Sequence, residues 1–442
     1  MTHGGGGGGG MIANPNDDAG EAYYKLEGTN KTFEIRVRMR SDEDFYKTRT
    51  IIDLKGMGLG ERDYGNPAPE TPVTLVITGS EAYGYISSLD FGPKEKYNWM
   101  RQMYDVIKDR ELRHVVVPGS HDAGMSRISG AESGWNYFGT SQNSQNQGLA
   151  TYNQLRFGAR YFDMRLVSVN NADFWVAHIN EPISPAPLGA TGESLDDVIN
   201  GLNRFTSESP GEIIVFWVSY MTNLAGPLTN RIWRAEKANE FYTELERINN
   251  RCPGFGSGTK FDRLRAGELM DKNNGHGCVL IQIDSAYLDS GVPRERPESG
   301  IYWAGNNMER DDYWANKENV QDLAQAQVSH MEENVRDGGS NTKDKYAIMQ
   351  WQTTPEVIPT VSLEFDAVLQ TNPALYWYAV NRMGPDMWPT VIMQDYLGYI
   401  HMEEGEFPSQ LGAELRALCI GLNLYMVSQN CKANGGTHPL LP

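Results

Sequence analysis

The stretch Pro118-Gly119-Ser120-His121-Asp122-Ala123-Gly124 directly follows the apolar run Val115-Val116-Val117. The run reads as a short buried strand, and Pro-Gly is expected to stop it in a turn. His121 and Asp122 then sit at the strand's carboxyl end, where ligands bind in sheets flanked by helices. An imidazole there can give and take protons near neutrality. Further polar residues recur at strand ends. Asp163 and Arg165 lie in Tyr161-Phe162-Asp163-Met164-Arg165, where alternation puts both on one face, opposite Phe162 and Met164. Buried charges must be paired, so they are expected to contact each other or the histidines. His178 ends a third strand, and Asp395 ends the last, Val391-Ile392-Met393-Gln394-Asp395. If first and last strands are neighbours, Asp395 reaches His121, orients its ring and stabilises its charged form. Two histidines, several carboxylates and one Arg suit phosphoryl transfer. One His takes a hydroxyl proton, the Arg stabilises phosphate charge, and the other His protonates the leaving oxygen. A ring of salt bridges closing a barrel top would look similar.

These residues need a scaffold that brings strand ends together. From about residue 92, strands and helices alternate. Strands are expected over 112–117, 161–167, 174–177, 212–218, 278–283, 346–350 and 390–393, with Ser194-Leu195-Asp196-Asp197 opening a helix. Such units imply a parallel sheet. Seven or eight strands over this length fit an α/β architecture, a TIM-type (β/α) barrel, distorted or incompletely closed, with an open doubly wound sheet as the alternative. A last helix near 409–426 presents Leu411, Leu415, Leu418 and Leu422 as a stripe. Segments 128–153 and 181–192 are long rim loops, and loops of that length commonly shape a site. Residues 20–92 alternate with period two over 32–38, offer further strands at 50–54 and 73–77 between Gly- and Pro-containing turns, and read as a small antiparallel β-sandwich accessory domain. Residues 1–19 are a Gly-rich tail without fold information.

The 442 residues have 40% hydrophobic and 22% charged content, enough for a sizeable core. A net charge of −18 opposes nucleic-acid binding and electrostatic adsorption to anionic membranes. No run is long enough for an apolar membrane span, and no signal-peptide core is visible. Cys252, Cys278, Cys419 and Cys431 permit one or two bridges, with Cys419 and Cys431 the nearest pair. The sequence leaves the compartment open.

The ordered set resembles the catalytic X region of phosphatidylinositol-specific phospholipase C (PI-PLC). The carriers are 118–124, Gln154-Leu155, 158–165, His178, Leu195-Asp196-Asp197-Val198 and Ser209-Pro210-Gly211-Glu212-Ile213-Ile214, with 391–396 similar to the last strand of bacterial-type members. The resemblance covers roughly 95–400 and leaves the β module outside, a pairing more like fungal members. It implies His121 as general base on the substrate's 2-hydroxyl with Asp395 behind it. His178 would be the general acid, Arg165 would bind the phosphate, and Asp122 and Asp163 would support His178 and Arg165. The implied products are a cyclic phosphodiester and diacylglycerol. Calcium-dependent members look to carry Asn after the first His and an acid where Arg165 stands. This chain therefore resembles the metal-independent branch, needing no metal or cofactor.

There are departures. Ile179 follows His178 where the family usually has Gly, and Ser219-Tyr220 offers no Lys against the inositol ring. Asp312, Tyr313, Tyr220, Gln350 and Gln352 are the expected headgroup contacts. A phospholipid or GPI-type phosphodiester is the expected partner of a chain expected to be a monomer and to make peripheral membrane contact through Trp135, Tyr137 and Phe138. The alternative is a catalytically weak or inactive module that binds a phospho-sugar or lipid headgroup. A metal-dependent glycerophosphodiesterase or sphingomyelinase-type barrel would need a carboxylate cluster where Arg165 stands.

Overall fold

The computed structural model describes residues 97–433, except 170–172, 181–185, 225–230, 285–287, 335–344, 355–361, 384–386 and 400–413, together with the backbone of short strands between 2 and 88. Eight parallel strands form the body of the molecule: β1 (Val117–Ser120), β2 (Tyr161–Val169), β3 (Glu212–Asn223), β4 (Gly277–Ile283), β5 (Ile301–Trp303), β6 (Arg310–Tyr313), β7 (Tyr346–Trp351) and β8 (Val391–Gln394). Their order is β5-β4-β3-β2-β1-β8-β7-β6. First and last strands are therefore hydrogen-bonded neighbours, with Val117 opposite Val391 and Ser120 opposite Gln394. Among the described residues β5 and β6 do not pair. The curled sheet is a barrel left open at that seam, which only the short helix Ala304–Asn307 bridges in sequence.

Period-two alternation sorts the side chains into two cores. One face, with Phe162, Met164, Ile214, Phe216 and Ile281, packs on helix residues such as Val198, Leu202 and Phe205. The other face, with Val117, Tyr161, Val215, Leu280, Ile348 and Val391, fills the barrel interior over Trp99, Met103 and Leu269. Followed toward the carboxyl ends, the same interior face turns polar: Asp163 and Arg165 on β2, Asp312 on β6, Gln350 on β7. The apolar floor thus holds a polar mouth. Ser194 caps helix Leu195–Glu208 by accepting from the Asp197 N–H, as its sequence suggests.

Several expected elements differ. Segment 112–117 is not one strand. Leu112–His114 forms a 3-10 turn, and β1 runs through Pro118-Gly119 instead of stopping there. Gly119 is needed because a Cβ would lie 2.5 Å from Val391 Cγ1. Strand Asp173–Ile179, which carries His178, is antiparallel to β2, with Leu166 opposite Val176, and so is not a barrel strand. The few residues joining it to β2 are too short for a parallel crossover. β5 and β6 have no hydrophobic run long enough to announce them. The last helix is Glu414–Ala433, with Leu415, Leu418 and Leu422 buried; Leu411 lies outside the described residues. The disulfide joins Cys252 to Cys278, and Cys419 is free. Cys419 and Cys431 share the last helix about 18 Å apart, beyond the reach of a bridge. Before the barrel, a five-stranded antiparallel sheet and a separate hairpin, Val73–Thr78 with Tyr83–Ser88, are formed. The sandwich expected there remains a proposal.

Candidate active site

His121 is the residue after β1 and Asp395 the residue after β8. Pairing of those strands brings His121 Nδ1 to 2.7 Å from Asp395 Oδ1. Gln147, fully buried, locks the two strand ends by donating to the carbonyls of His121 and Gln394. Asp122 and Tyr396, each following one of these residues, adopt positive φ values of 42° and 48°. Non-glycine residues rarely hold that backbone, and such strain gathers at functional sites. It turns the Asp122 carboxylate inward, where it is wholly buried.

β2 delivers the cation. Arg165 Nε lies 2.6 Å from Asp122 Oδ1, and Nη2 lies 3.2 Å from Asp163 Oδ2. The β2–β3 register slips between Met164 and Arg165, so Ser219 is the extra residue of a bulge. The bulge sets Tyr220 beside Arg165, with the guanidinium 5.7 Å from the ring centroid. The Tyr220 hydroxyl donates to the Ala177 carbonyl. Tyr220 thus props Arg165 and the His178 strand.

Arg165 Nη2 is also 2.9 Å from His121 Nε2. A guanidinium only donates, so this contact requires a neutral ring with its proton on Nδ1, against Asp395. Electrostatics pull the other way. Burial disfavours charge on His121, but Asp122 and Asp395 outweigh it and push the pKa up to about 9. The ring therefore has two forms. A charged form leans on Asp122, whose Oδ2 is 3.7 Å away; a neutral form is the one that the Arg165 contact selects. Below about pH 9 the charged form prevails. For His178, burial is dominant and lowers the pKa, although Asp122 opposes it. Burial would raise the Asp163 pKa, but Arg165 and His121 hold it below the usual range.

Sequence reasoning missed Asn146. It lies in the rim segment 128–153 and is 1% exposed. Its side chain spans Asp395 and His178. The Asn- and Gln-rich composition marked that loop, but no periodicity singled out one amide within it. Asp312, Gln350 and Gln352 form a chain at the mouth: Gln352 donates to Gln350, which donates to Asp312. Tyr313 lies apart from this chain of side chains. Alternation turns it out of the barrel to stack on His330, 4.2 Å between centroids. Trp314, 55% exposed, follows it at the rim. A cavity of about 550 Å3 opens beside this cluster, lined by Trp217, Asp284, Arg294, Trp303 and Arg310 among others. It contains none of the His–Arg–Asp residues, but Trp217 is the register neighbour of Asp163.

His121, Asp122 and Asp163 offer ligand atoms within 4.8 Å of one another. A divalent cation does not fit them as arranged, because Arg165 already contacts all three with a fixed positive charge.

No family model matches the chain. Over 135 residues it is 27% identical to a PI-PLC X-box domain-containing protein of Dictyostelium discoideum, a match spanning 29% of this chain and 17% of that relative. In three dimensions it is similar to a mutant of the phosphatidylinositol-specific phospholipase C of Staphylococcus aureus, with TM-score 0.50 and 16% identity, covering 73% of this chain and 96% of that one. A second structure of that enzyme gives TM-score 0.49 at 17% identity. The structural likeness is one of fold, and the sequence likeness is to a PI-PLC X-box domain-containing protein of which this match spans less than a fifth.

Proposed function

We propose that this chain cleaves a phosphatidylinositol-type or GPI-type phosphodiester without a metal, by attack of a neighbouring hydroxyl on phosphorus. The observation that carries the reading is the pair of histidines and one guanidinium gathered around the buried Asp122 carboxylate at the barrel mouth. In the molecules whose His121 is neutral, the phosphodiester anion takes Arg165, drawing the guanidinium off His121 Nε2 and leaving that lone pair open. His121 then removes the proton of the attacking hydroxyl, whose oxygen bonds to phosphorus. The bond to the glycerol oxygen breaks, and His178 Nε2 supplies the proton that oxygen needs. The products are a cyclic phosphate and diacylglycerol, and water in the attacking position reopens the ring more slowly.

Protonation supports this order only once substrate is present. In the empty site the charge belongs on His121, and burial keeps it off His178. A bound phosphate anion favours charge on His178, and the reactive form is the one in which His178 carries that charge and His121 is neutral with its proton on Nδ1. The cavity beside Asp163 receives the headgroup, where Trp217 and Trp303 offer apolar faces and Arg294 and Arg310 offer charge. Outside the site, Tyr137 and Phe138 are 53% and 74% exposed on the rim and serve as the membrane contact. Trp135 does not join them, because it packs inward on the Val167–Trp175 cluster.

Replacing His121 or His178 with Ala should lower cleavage of phosphatidylinositol by at least about 10²-fold, the scale of general acid–base catalysis. Cleavage within threefold of the parent for either variant overturns the assignment. Binding of headgroup with no cleavage by the parent protein would instead mark a binding module, a reading that the Arg165 cap on His121 favours.

A further inference from the structure

We infer that Asn146 is a positioning residue that ties both histidines to the single carboxylate of Asp395 and fixes Nε2 as the reactive atom of His178. The inference rests on the acid and base roles proposed above. The Asn146 Nδ2 lies 3.2 Å from both Asp395 oxygens. A carboxylate only accepts, so the nitrogen of the amide must face it. The amide oxygen is thereby turned to His178, 2.6 Å from Nδ1. An amide oxygen only accepts, so Nδ1 must carry a proton in both the neutral and the charged ring. Nε2 is left as the atom that gains or loses a proton. His121 is fixed the same way by direct contact, Nδ1 to Asp395. One carboxylate thus sets the tautomer of both rings, directly for one and through a neutral amide for the other.

The neutral link also separates the two histidines. His121 meets a carboxylate at 2.7 Å and is pulled toward the charged form. His178 meets an amide instead. The charges around it are Asp122, 3.6 Å from its Nδ1, with Arg165, His121 and Asp395. An amide supplies orientation without charge, so His178 is oriented but not made strongly basic. Asn146 is itself held, since its carbonyl accepts from the Tyr396 N–H at 2.7 Å. Tyr396 follows Asp395, so the rim loop is tied to the end of β8.

The experiment uses the full chain with N146A and N146D. Turnover is read on phosphatidylinositol vesicles as a function of pH, and the His178 tautomer is read by 15N NMR. N146A should lower kcat by about 10- to 100-fold, the usual scale for a residue that orients another, with KM changed less than threefold. Its His178 should no longer hold the proton on Nδ1 alone. N146D places a carboxylate against His178, and the low-pH limb of kcat/KM should move up by about one unit. A His178 ring that keeps its Nδ1 proton in N146A, or an unshifted limb in a folded N146D, overturns the inference. The NMR arm needs no turnover, so it decides the role of Asn146 even if the parent protein cleaves nothing, the result that would overturn the proposed reaction instead.

Discussion

Replacing Asp395 with Asn tests the site through its most connected group. Asp395 accepts from His121 Nδ1 at 2.7 Å and from Asn146 Nδ2 at 3.2 Å on each oxygen. An amide has one acceptor oxygen, so D395N must set its NH2 against one of these donors or force a ring to flip. If His121 shifts its proton so that Nδ1 accepts from that NH2, Nε2 carries the proton and faces the Arg165 donor 2.9 Å away. Loss of one charge-assisted hydrogen bond is worth about 1.5–3 kcal/mol, or roughly 10- to 150-fold in rate. A base held in the wrong tautomer extends the loss to about 10⁴-fold. The same variant has a stability signature. The folded pKa of His121 is raised from 6.5 to about 9, so its contribution is complete below pH 6.5 and is lost as pH rises through 9. The stability gap between parent and D395N should be about 1.5–3 kcal/mol below pH 6.5 and should narrow above 9. Urea unfolding at several pH values measures the gap, and NMR titration measures the ring. A D395N protein with more than a third of parental kcat and a His121 pKa still near 9 refutes the reasoning.

Two further outcomes are expected. Replacing Tyr137 and Phe138 together with Ala should weaken binding to phosphatidylcholine vesicles while cleavage of a short-chain soluble substrate is kept; equal loss of both would make the rings pocket walls. Reducing the Cys252–Cys278 bridge, which closes a 26-residue separation, should lower stability by roughly 3.5 kcal/mol in the chain-entropy account. An unchanged urea midpoint would show that β4 is held without it.

The barrel and its polar mouth were legible because alternation is a backbone property. Once β2 is a strand, Phe162 and Met164 must face one way and Asp163 and Arg165 the other. The approach of Asp395 to His121 followed from closing the first strand on the last. What escaped the sequence had a different origin. His178 comes from an antiparallel return strand, and strand direction is set by loop length, not by the residues within the strand. Tyr313 was placed in the mouth without a fixed register for β6, and a shift of one residue exchanges its two faces. Asn146 acts through an irregular loop whose path depends on tertiary contacts, as Gln147 bonding across β1 and β8 shows. The Cys252–Cys278 pairing likewise depends on Arg251 bridging to Val279, a contact 28 residues away in sequence that composition does not reveal.

The most direct measurement follows phosphatidylinositol by phosphorus NMR with the parent protein in excess EDTA. The proposed chemistry gives a cyclic phosphodiester resonance first, a slower conversion to the open monoester, and rates unaffected by the chelator. R165A, which removes the group that takes the phosphate and caps His121, should give neither signal at comparable protein concentration. A parent protein that yields no cyclic product, or that loses activity in EDTA and regains it with calcium, would contradict the account.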